Sequence, residues 1–277
     1  MPTSRTAVVT GASGDIGTEL AAGLAGDGWT LILLNRSQET SAPLLERIRQ
    51  ESPQAQVSLV IGDLADHDST TTAAGTINDA GPVDLLIHNA GVLLGERRYS
   101  PQRIEMHAQV NVLAPYLLTR MLTPSLNGST VVGVSTGGIF RAGELKVDQL
   151  ADPAEVKKLT TYSRSKLAAA ALLHAFAGMG GATTFRSADP GAVKTQMSAG
   201  EGAPTWIRAI SRVAFSSPET AAGRILTAAE LPASVPNGAY VNPKGKVVDL
   251  PASATDPAVQ ADLLAWCAQA TGVPAGS

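Results

Sequence analysis

A short β-rich run, Thr6-Ala7-Val8-Val9-Thr10, passes directly into Gly11-Ala12-Ser13-Gly14-Asp15-Ile16-Gly17 and then into the apolar helical spacing of Leu20 and Leu24. Glycines this dense weaken a strand or a helix, so they mark a tight turn between the two. Strand, glycine turn, helix is a phosphate-binding geometry. The backbone can approach a pyrophosphate closely, and free N–H groups with the helix dipole stabilise its charge. A second strand, Thr30 to Leu34, follows. The start of the chain therefore predicts a dinucleotide-binding unit, with Gly11, Ser13, Gly14, Asp15, Ile16 and Gly17 as its phosphate-side residues. Asp15 is discordant, because a carboxylate turned inward would repel a pyrophosphate. It is expected to be solvated or to cap the helix start.

A second segment carries acid–base chemistry. Tyr162-Ser163-Arg164-Ser165-Lys166 opens an alanine-rich apolar stretch. On a helix the phenol and the ammonium would lie one turn apart on the same face. A phenol with an unperturbed pKa of about 10 is a poor acid–base group at neutral pH, and a nearby ammonium favours the phenolate and pulls that pKa toward the working range. The spacing is also that of an ordinary exposed helical pair; its weight comes from standing behind the glycine-rich start.

With both segments in place, the chain resembles the short-chain dehydrogenase/reductase family from residue 6 to about residue 242. Four further segments match in order. His88-Asn89-Ala90-Gly91, after the strand-like Val83 to Ile87, resembles the family's Asn-Asn-Ala-Gly, with His88 in place of the first Asn. Asn111 in Asn-Val-Leu-Ala-Pro matches the helix asparagine of the family's catalytic tetrad. Val131 to Gly138 resembles the strand that ends in the catalytic hydroxyl, and Pro190-Gly191-Ala192-Val193-Lys194-Thr195 resembles the loop that grips nicotinamide. Within the family, Ser216 to Ala222 and the end, Gly238-Ala239-Tyr240 then a helix reaching Trp266, are most similar to the retinol-dehydrogenase-like and carbonyl-reductase-like branch. The G-x-x-G-x-x-G spacing instead resembles the extended and atypical members.

The resemblance implies an α/β fold of three layers built on a doubly wound parallel sheet, the Rossmann fold, with a nicotinamide cofactor. It implies that Tyr162 exchanges a proton with substrate, that Lys166 lowers the Tyr162 pKa and hydrogen-bonds the nicotinamide ribose, and that Asn111 holds a water in the proton path. The orienting hydroxyl falls on Thr136 by alignment of VVGVST, with Ser135 as the alternative, since serine is the common occupant. Asn89, Ala90, Gly91, Pro190, Gly191, Val193 and Thr195 would line the dinucleotide with Tyr162 and Lys166. Asp63, followed by Leu64, resembles the family's adenine-contacting aspartate, and loop capping is the other role open to it.

Cofactor choice is read where Leu31-Ile32-Leu33-Leu34 gives way to Asn35-Arg36-Ser37. An acid there would hold the ribose 2′-hydroxyl of NAD, whereas arginine accommodates the 2′-phosphate of NADP. NADP is the expected cofactor.

Composition bounds the rest. Strands and helices alternate without a linker-like break, so residues 1–277 are expected to form one domain. At 44 % hydrophobic and 4 % aromatic, the core must be built from Ala, Val, Leu and Ile, which suits parallel strands buried on both faces. A net charge of -3, with only Arg97-Arg98 and Lys157-Lys158 as basic pairs, offers no footprint for nucleic acid. The single cysteine, Cys267, allows no intrachain disulfide and fits a reducing compartment. Without an N-terminal apolar segment or a stretch long enough to span a bilayer, a soluble cytoplasmic protein is expected. His67, His88, His107 and His174 show no ligand spacing, so no metal site is expected.

Two segments bear on substrate and assembly. Residues 141–161 read as a polar insertion over the surface, carrying Lys146, Asp148, Asp152, Glu155, Lys157 and Lys158, and resemble the inserts of monomeric carbonyl-reductase-like members. A monomer is favoured, with a homo-oligomer open. Residues 196–216 read as a lid, with Trp206, Ile207, Ile210, Val213 and Phe215 between Gly200, Gly202 and Pro204, and Ile139 and Phe140 would form a second apolar wall. The expected activity is NADP-dependent interconversion of a carbonyl and an alcohol on a lipophilic small molecule. The alternatives are a nucleotide-sugar epimerase or dehydratase of the extended type and a non-enzymatic NADP sensor.

Overall fold

The computed structural model describes residues 5–153, 157–195 and 215–276. Its strands are β1 (Thr6–Thr10), β2 (Thr30–Asn35), β3 (Val57–Ile61), β4 (Leu85–His88), β5 (Thr130–Val134), β6 (Thr184–Ala188), β7 (Ala239–Val241) and β8 (Val247–Val248). They form one sheet in the order β3-β2-β1-β4-β5-β6-β7-β8. Every pairing is parallel except that of β7 with β8. The chain runs outward from β1 to β3, returns to place β4 against the other side of β1, and continues outward again. That reversal opens a crevice at the carboxyl ends of β1 and β4, where doubly wound sheets bind ligands.

The helices are α1 (Asp15–Gly26), α2 (Gln38–Glu51), α3 (His67–Asp79), α4 (Met106–Ala108), α5 (Ala114–Met121), α6 (Lys158–Gly178), α7 (Pro218–Ala229), α8 (Ala252–Thr255) and α9 (Pro257–Thr271). A π-helical turn, Gln109–Leu113, joins α4 to α5. Local chemistry sets several boundaries. Ser37 and Ser217 accept hydrogen bonds from Thr40 N and Thr220 N as N-caps of α2 and α7. Asp256 caps α9, Pro257 opens it, and Gly272 closes it at φ 71°, a left-handed conformation that glycine adopts without steric penalty.

Strand alternation divides the core. Val8 belongs to one cluster with Leu86, Val131, Phe185 and the apolar faces of α3, α5, α6 and α9. Its neighbours Ala7 and Val9 belong to another, with Leu31, Leu33, Ile87 and the inner faces of α1, α2 and α7. Side chains of period two, apolar on both faces, require a helix layer on each side, which gives the expected three layers. Cys267 is buried on α9. Among the described residues no helix is long and apolar enough to cross a membrane, and no group of His, Cys, Asp and Glu could hold a metal ion.

The insertion is polar outside and apolar beneath. Lys146, Asp148, Asp152 and Lys157 are exposed, while Ala142, Leu145 and Leu150 are buried. Ser253 Oγ accepts from Leu145 N at 3.2 Å, and Ala151 O accepts from Glu105 N at 2.8 Å, so the segment is tied to two other parts of the fold. Glu155 lies outside the described residues. So does most of the expected lid, residues 196–214 with Trp206, Ile207, Ile210 and Val213. The flanking residues are described: Ser216 pairs with Val193, with Ser216 N donating to Ala192 O and Lys194 N to Ser216 O at 2.9 Å each. One expected wall residue is displaced. Ile139 is buried in the core, because the 3-10 turn Gly137–Arg141 turns it inward and leaves Phe140 outward, 48 % exposed and edge-on to Tyr240.

Candidate active site

The glycine turn is held from three directions. Gly11, at φ 63°, donates to Leu34 O at 2.8 Å. A Cβ on Gly11 would lie 2.9 Å from Ala90 Cα, and one on Gly17 would lie 2.3 Å from Gly11 O, so both positions exclude any side chain. Asn89 Nδ2 donates to Thr10 O and Gly11 O at 3.0 Å each, and Thr10 Oγ1 accepts from Asn89 N and Ala90 N. Gly14 is the extended residue ahead of α1, and Asp15 stands half-buried in the first turn, where a carboxylate complements the dipole; it is not the N-cap. Ile16 packs its side chain against the core.

At the end of β2 the three candidates part. Asn35 does not face a ribose. It is buried, its Oδ1 accepts from Ser13 N at 3.1 Å, and its Nδ2 donates to Ser41 Oγ at 2.9 Å, so its amide satisfies the glycine turn from within. Ser37 is occupied as the α2 cap. Arg36 is exposed. Asp63 Oδ1 accepts from Ala65 N at 2.9 Å, the loop-capping role, and Leu64 packs on the core with its carbonyl accepting from Gln109 Nε2.

Tyr162 and Lys166 sit one turn apart on α6, and Lys166 Nζ donates to Val134 O at 2.8 Å. Asn111 lies in the π turn and is buried. Its Oδ1 accepts from Val92 N at 2.9 Å, and its Nδ2 donates to Val92 O and to Ser165 Oγ. The side chain is thus a tie between the loop after β4 and the tyrosine helix. A Cβ on Gly91 would come within 3.2 Å of both Asn111 Oδ1 and Lys166 Nζ, which places Lys166 at the mouth of the crevice.

The two hydroxyl candidates point differently. Ser135 is buried, with its hydroxyl against the Tyr240 phenol. Thr136 is half-exposed, its Oγ1 accepting from Gly138 N at 3.2 Å. In the nicotinamide loop, Gly191 takes φ 83°, Pro190 O accepts from Arg224 Nη1 at 2.6 Å, Val193 is buried beside Ser216, and Thr195 is half-buried.

Electrostatics reverse one expectation. Burial, and then the charge of Asp189, push the Tyr162 phenol up to about 12 in place of the depression expected from Lys166. Burial lowers the Lys166 ammonium to about 8. Asp189 is a residue that the motifs did not single out. It is buried, accepts from Gly191 N at 2.8 Å and Tyr240 Oη at 3.1 Å, and is itself raised by desolvation. Its signal in the sequence is an acid immediately after the short segment Thr184 to Ala188 and before Pro190-Gly191, where a buried carboxylate has no inexpensive place.

The comparisons agree with this geometry. Residues 5–205 match the family model described as short chain dehydrogenase. Dehydrogenase/reductase SDR family member 13 of Bos taurus is 34 % identical over 216 residues, 75 % of this chain and 56 % of that protein, so the chain spans little more than half of that relative. Polyprenol dehydrogenase of Mus musculus is 31 % identical over 242 residues, 82 % of this chain and 72 % of that protein. Human retinol dehydrogenase 13 is 31 % identical over 202 residues, 70 % of this chain and 60 % of that protein. The crystal structure of an uncharacterised protein from Mycobacterium paratuberculosis has the same fold, with a TM-score of 0.79 at 24 % identity, covering 99 % of this chain and 95 % of that one. A dinucleotide turn closed by Asn89, a Tyr162–Lys166 pair on one helix and these matches lead to one assignment: the chain belongs to the short-chain dehydrogenase/reductase family, in its retinol-dehydrogenase-like branch.

Proposed function

We propose that this chain is an NADP-dependent oxidoreductase that interconverts a carbonyl and an alcohol on a lipophilic small molecule. The observation that carries the reading is the approach of Lys166 to Gly91 in the loop after β4, with Tyr162 one turn before Lys166 on α6. The residues fit a dinucleotide: Gly11 and Gly17 form a turn into which no side chain fits, and Gly91 leaves the Lys166 ammonium open to a ribose. The bound cofactor supplies the hydride. Arg36, exposed at the end of β2, would hold the 2′-phosphate, and no acid stands beside it to prefer a 2′-hydroxyl. Similar solved structures hold either NADP or NADH, so the preference rests on this strand end.

The chain's own residues then move the proton. A phenol held near 12 is neutral at working pH, so Tyr162 is a proton donor to a substrate oxygen that gains negative charge. Thr136, the more accessible of the two hydroxyls, orients that oxygen. Lys166 anchors the ribose side and keeps positive charge beside the reacting groups. Two relatives are named for lipophilic alcohols, polyprenol and retinol, and half-exposed Phe140, in the turn that Thr136 caps, offers an apolar contact for such a substrate.

The test is NADPH oxidation followed by absorbance across aldehydes, ketones, quinones and sugars. Turnover should be highest with alkyl or aryl carbonyls. A chain that binds NADPH yet reduces none of them, or that prefers polar sugars, is not the enzyme proposed.

A further inference from the structure

Gly133 on β5 stands in one row of the sheet between His88 of β4 and Ser187 of β6. The row faces α6. Lacking a side chain, Gly133 lets Leu173 close over it, since a Cβ there would lie 2.6 Å from Leu173 Cδ1. The space that remains is a cavity of about 20 Å³ lined by His88, Ser135, Lys166, Ala170, Leu173 and Ser187 among others. That is room for one water.

Two buried polar atoms around this hollow have no partner: His88 Nδ1 and Ser187 Oγ. His88 is 4 % and Ser187 1 % exposed, so bulk solvent does not satisfy them. Native folds rarely orphan one such atom, and two at one place mark a bound polar group. Asn111 does not supply it, because its amide is taken up by Val92 and Ser165. Thr119 Oγ1 engages His88 Nε2 at 2.9 Å and fixes the ring, leaving Nδ1 as the unpaired atom. Lys166 has three donors, of which Val134 O takes one.

We propose that the hollow holds one ordered water bound by His88 Nδ1 and Ser187 Oγ, and that through it His88 is a positioning residue that solvates the Lys166 ammonium from the sheet side. Burial and the Lys166 charge push His88 down to about 3, so the ring is neutral at working pH and presents a dipole without a competing charge. The other titratable groups are Tyr162 on the same helix and, beside Tyr162, the pair of Asp189, just after β6, and Tyr240 of β7. β5 and α5 line the hollow with Gly133, Val134, Ser135 and Pro115, none of which ionises. The proposal relies on the oxidoreductase reading only for its consequence, that a better solvated Lys166 stays charged to higher pH.

Carbon-13 NMR titration of the lysine ε-carbons in the full chain without cofactor tests it, with the Lys166 resonance assigned by its loss in Lys166→Arg. In the wild type the midpoint should fall near 8. His88→Leu removes both ring nitrogens and should lower it by about one unit, and His88→Gln, which returns a polar terminus, should recover at least half of that shift. Ser187→Ala removes one hydroxyl at almost constant volume and should give a smaller fall in the same direction, which decides the matter should His88→Leu not fold. An unmoved Lys166 midpoint in the folded variants overturns the proposal. So does a crystal structure of the wild type, at a resolution that shows waters, in which the hollow is dry. Neither measurement needs turnover, so failure here is distinguishable from failure of the oxidoreductase reading.

Discussion

Tyr240 donates its hydroxyl proton to Asp189 at 3.1 Å, and the carboxylate so held lies close enough to Tyr162 to raise the phenol's pKa. The sign of a mutation follows. Asp189→Asn keeps an acceptor for Gly191 N but removes the charge, so the Tyr162 pKa should fall. Alcohol oxidation needs the phenolate, and its acidic limb should move to lower pH by about one unit. The pH profile of kcat/KM for oxidation checks this, and an unmoved limb in a folded variant removes Asp189 from the proton balance.

Tyr162→Phe removes the proton donor and leaves the cofactor's contacts in place. Turnover should fall by about 100-fold or more while NADPH affinity stays within a few fold. Lys166→Ala should weaken both. Single-turnover rates and fluorescence titration with NADPH separate the two effects; substantial turnover by the phenylalanine variant would assign the proton to another group.

Arg36→Ala should abolish a preference for NADPH over NADH. A charge-assisted contact to phosphate contributes roughly 1.5 to 3 kcal/mol, so the wild-type preference should be about tenfold or more. Dissociation constants for both dinucleotides measure it, and equal values in the wild type would contradict the assignment.

Gly17→Ala drives a methyl to 2.3 Å from Gly11 O, a backbone atom that cannot rotate away. The turn must shift, at a cost of about 1–3 kcal/mol of stability, and dinucleotide affinity should fall with it. Denaturant unfolding and an NADPH titration read the two losses; Gly26→Ala, where nothing lies within 4 Å, is the control.

The monomer expected from the insertion gains a physical reason in the C-terminal segment. Leu263 and Cys267 of α9 are buried in the core cluster against α6, Gln260 Nε2 bonds His174 Nδ1 at 2.8 Å, and Tyr116 of α5 donates to Val273 O at 2.7 Å. The faces of α5 and α6 are thereby covered by the chain itself. Light scattering should give the mass of one chain, and a stable tetramer would refute this.

What was legible in the sequence was local. The glycine turn and the Tyr162–Lys166 spacing are each confined to one stretch of chain and announce their geometry by residue type. Asn35 was misread because its inward turn is decided by Ser13 N and Ser41 Oγ, which no pattern at the end of β2 reveals. Ile139, expected as an apolar wall beside the hydroxyl pair, is buried because the chain coils into a 3-10 turn after Thr136, which adjacency in the sequence does not reveal. Asp189 and the orphaned atoms around Gly133 depend on four adjacent strands meeting in register, a property of the assembled sheet alone.

The amide of Asn89 closes the glycine turn onto Thr10 and Gly11 from 79 and 78 residues away along the chain. Such a contact forms only after a long loop has been closed, and topologies dominated by contacts of this kind fold slowly. The glycine turn is therefore not completed on the nascent β1–α1 unit alone. It matures when β4 docks, so dinucleotide affinity should emerge late during refolding, together with the last protection of the sheet centre and not with the first helical signal.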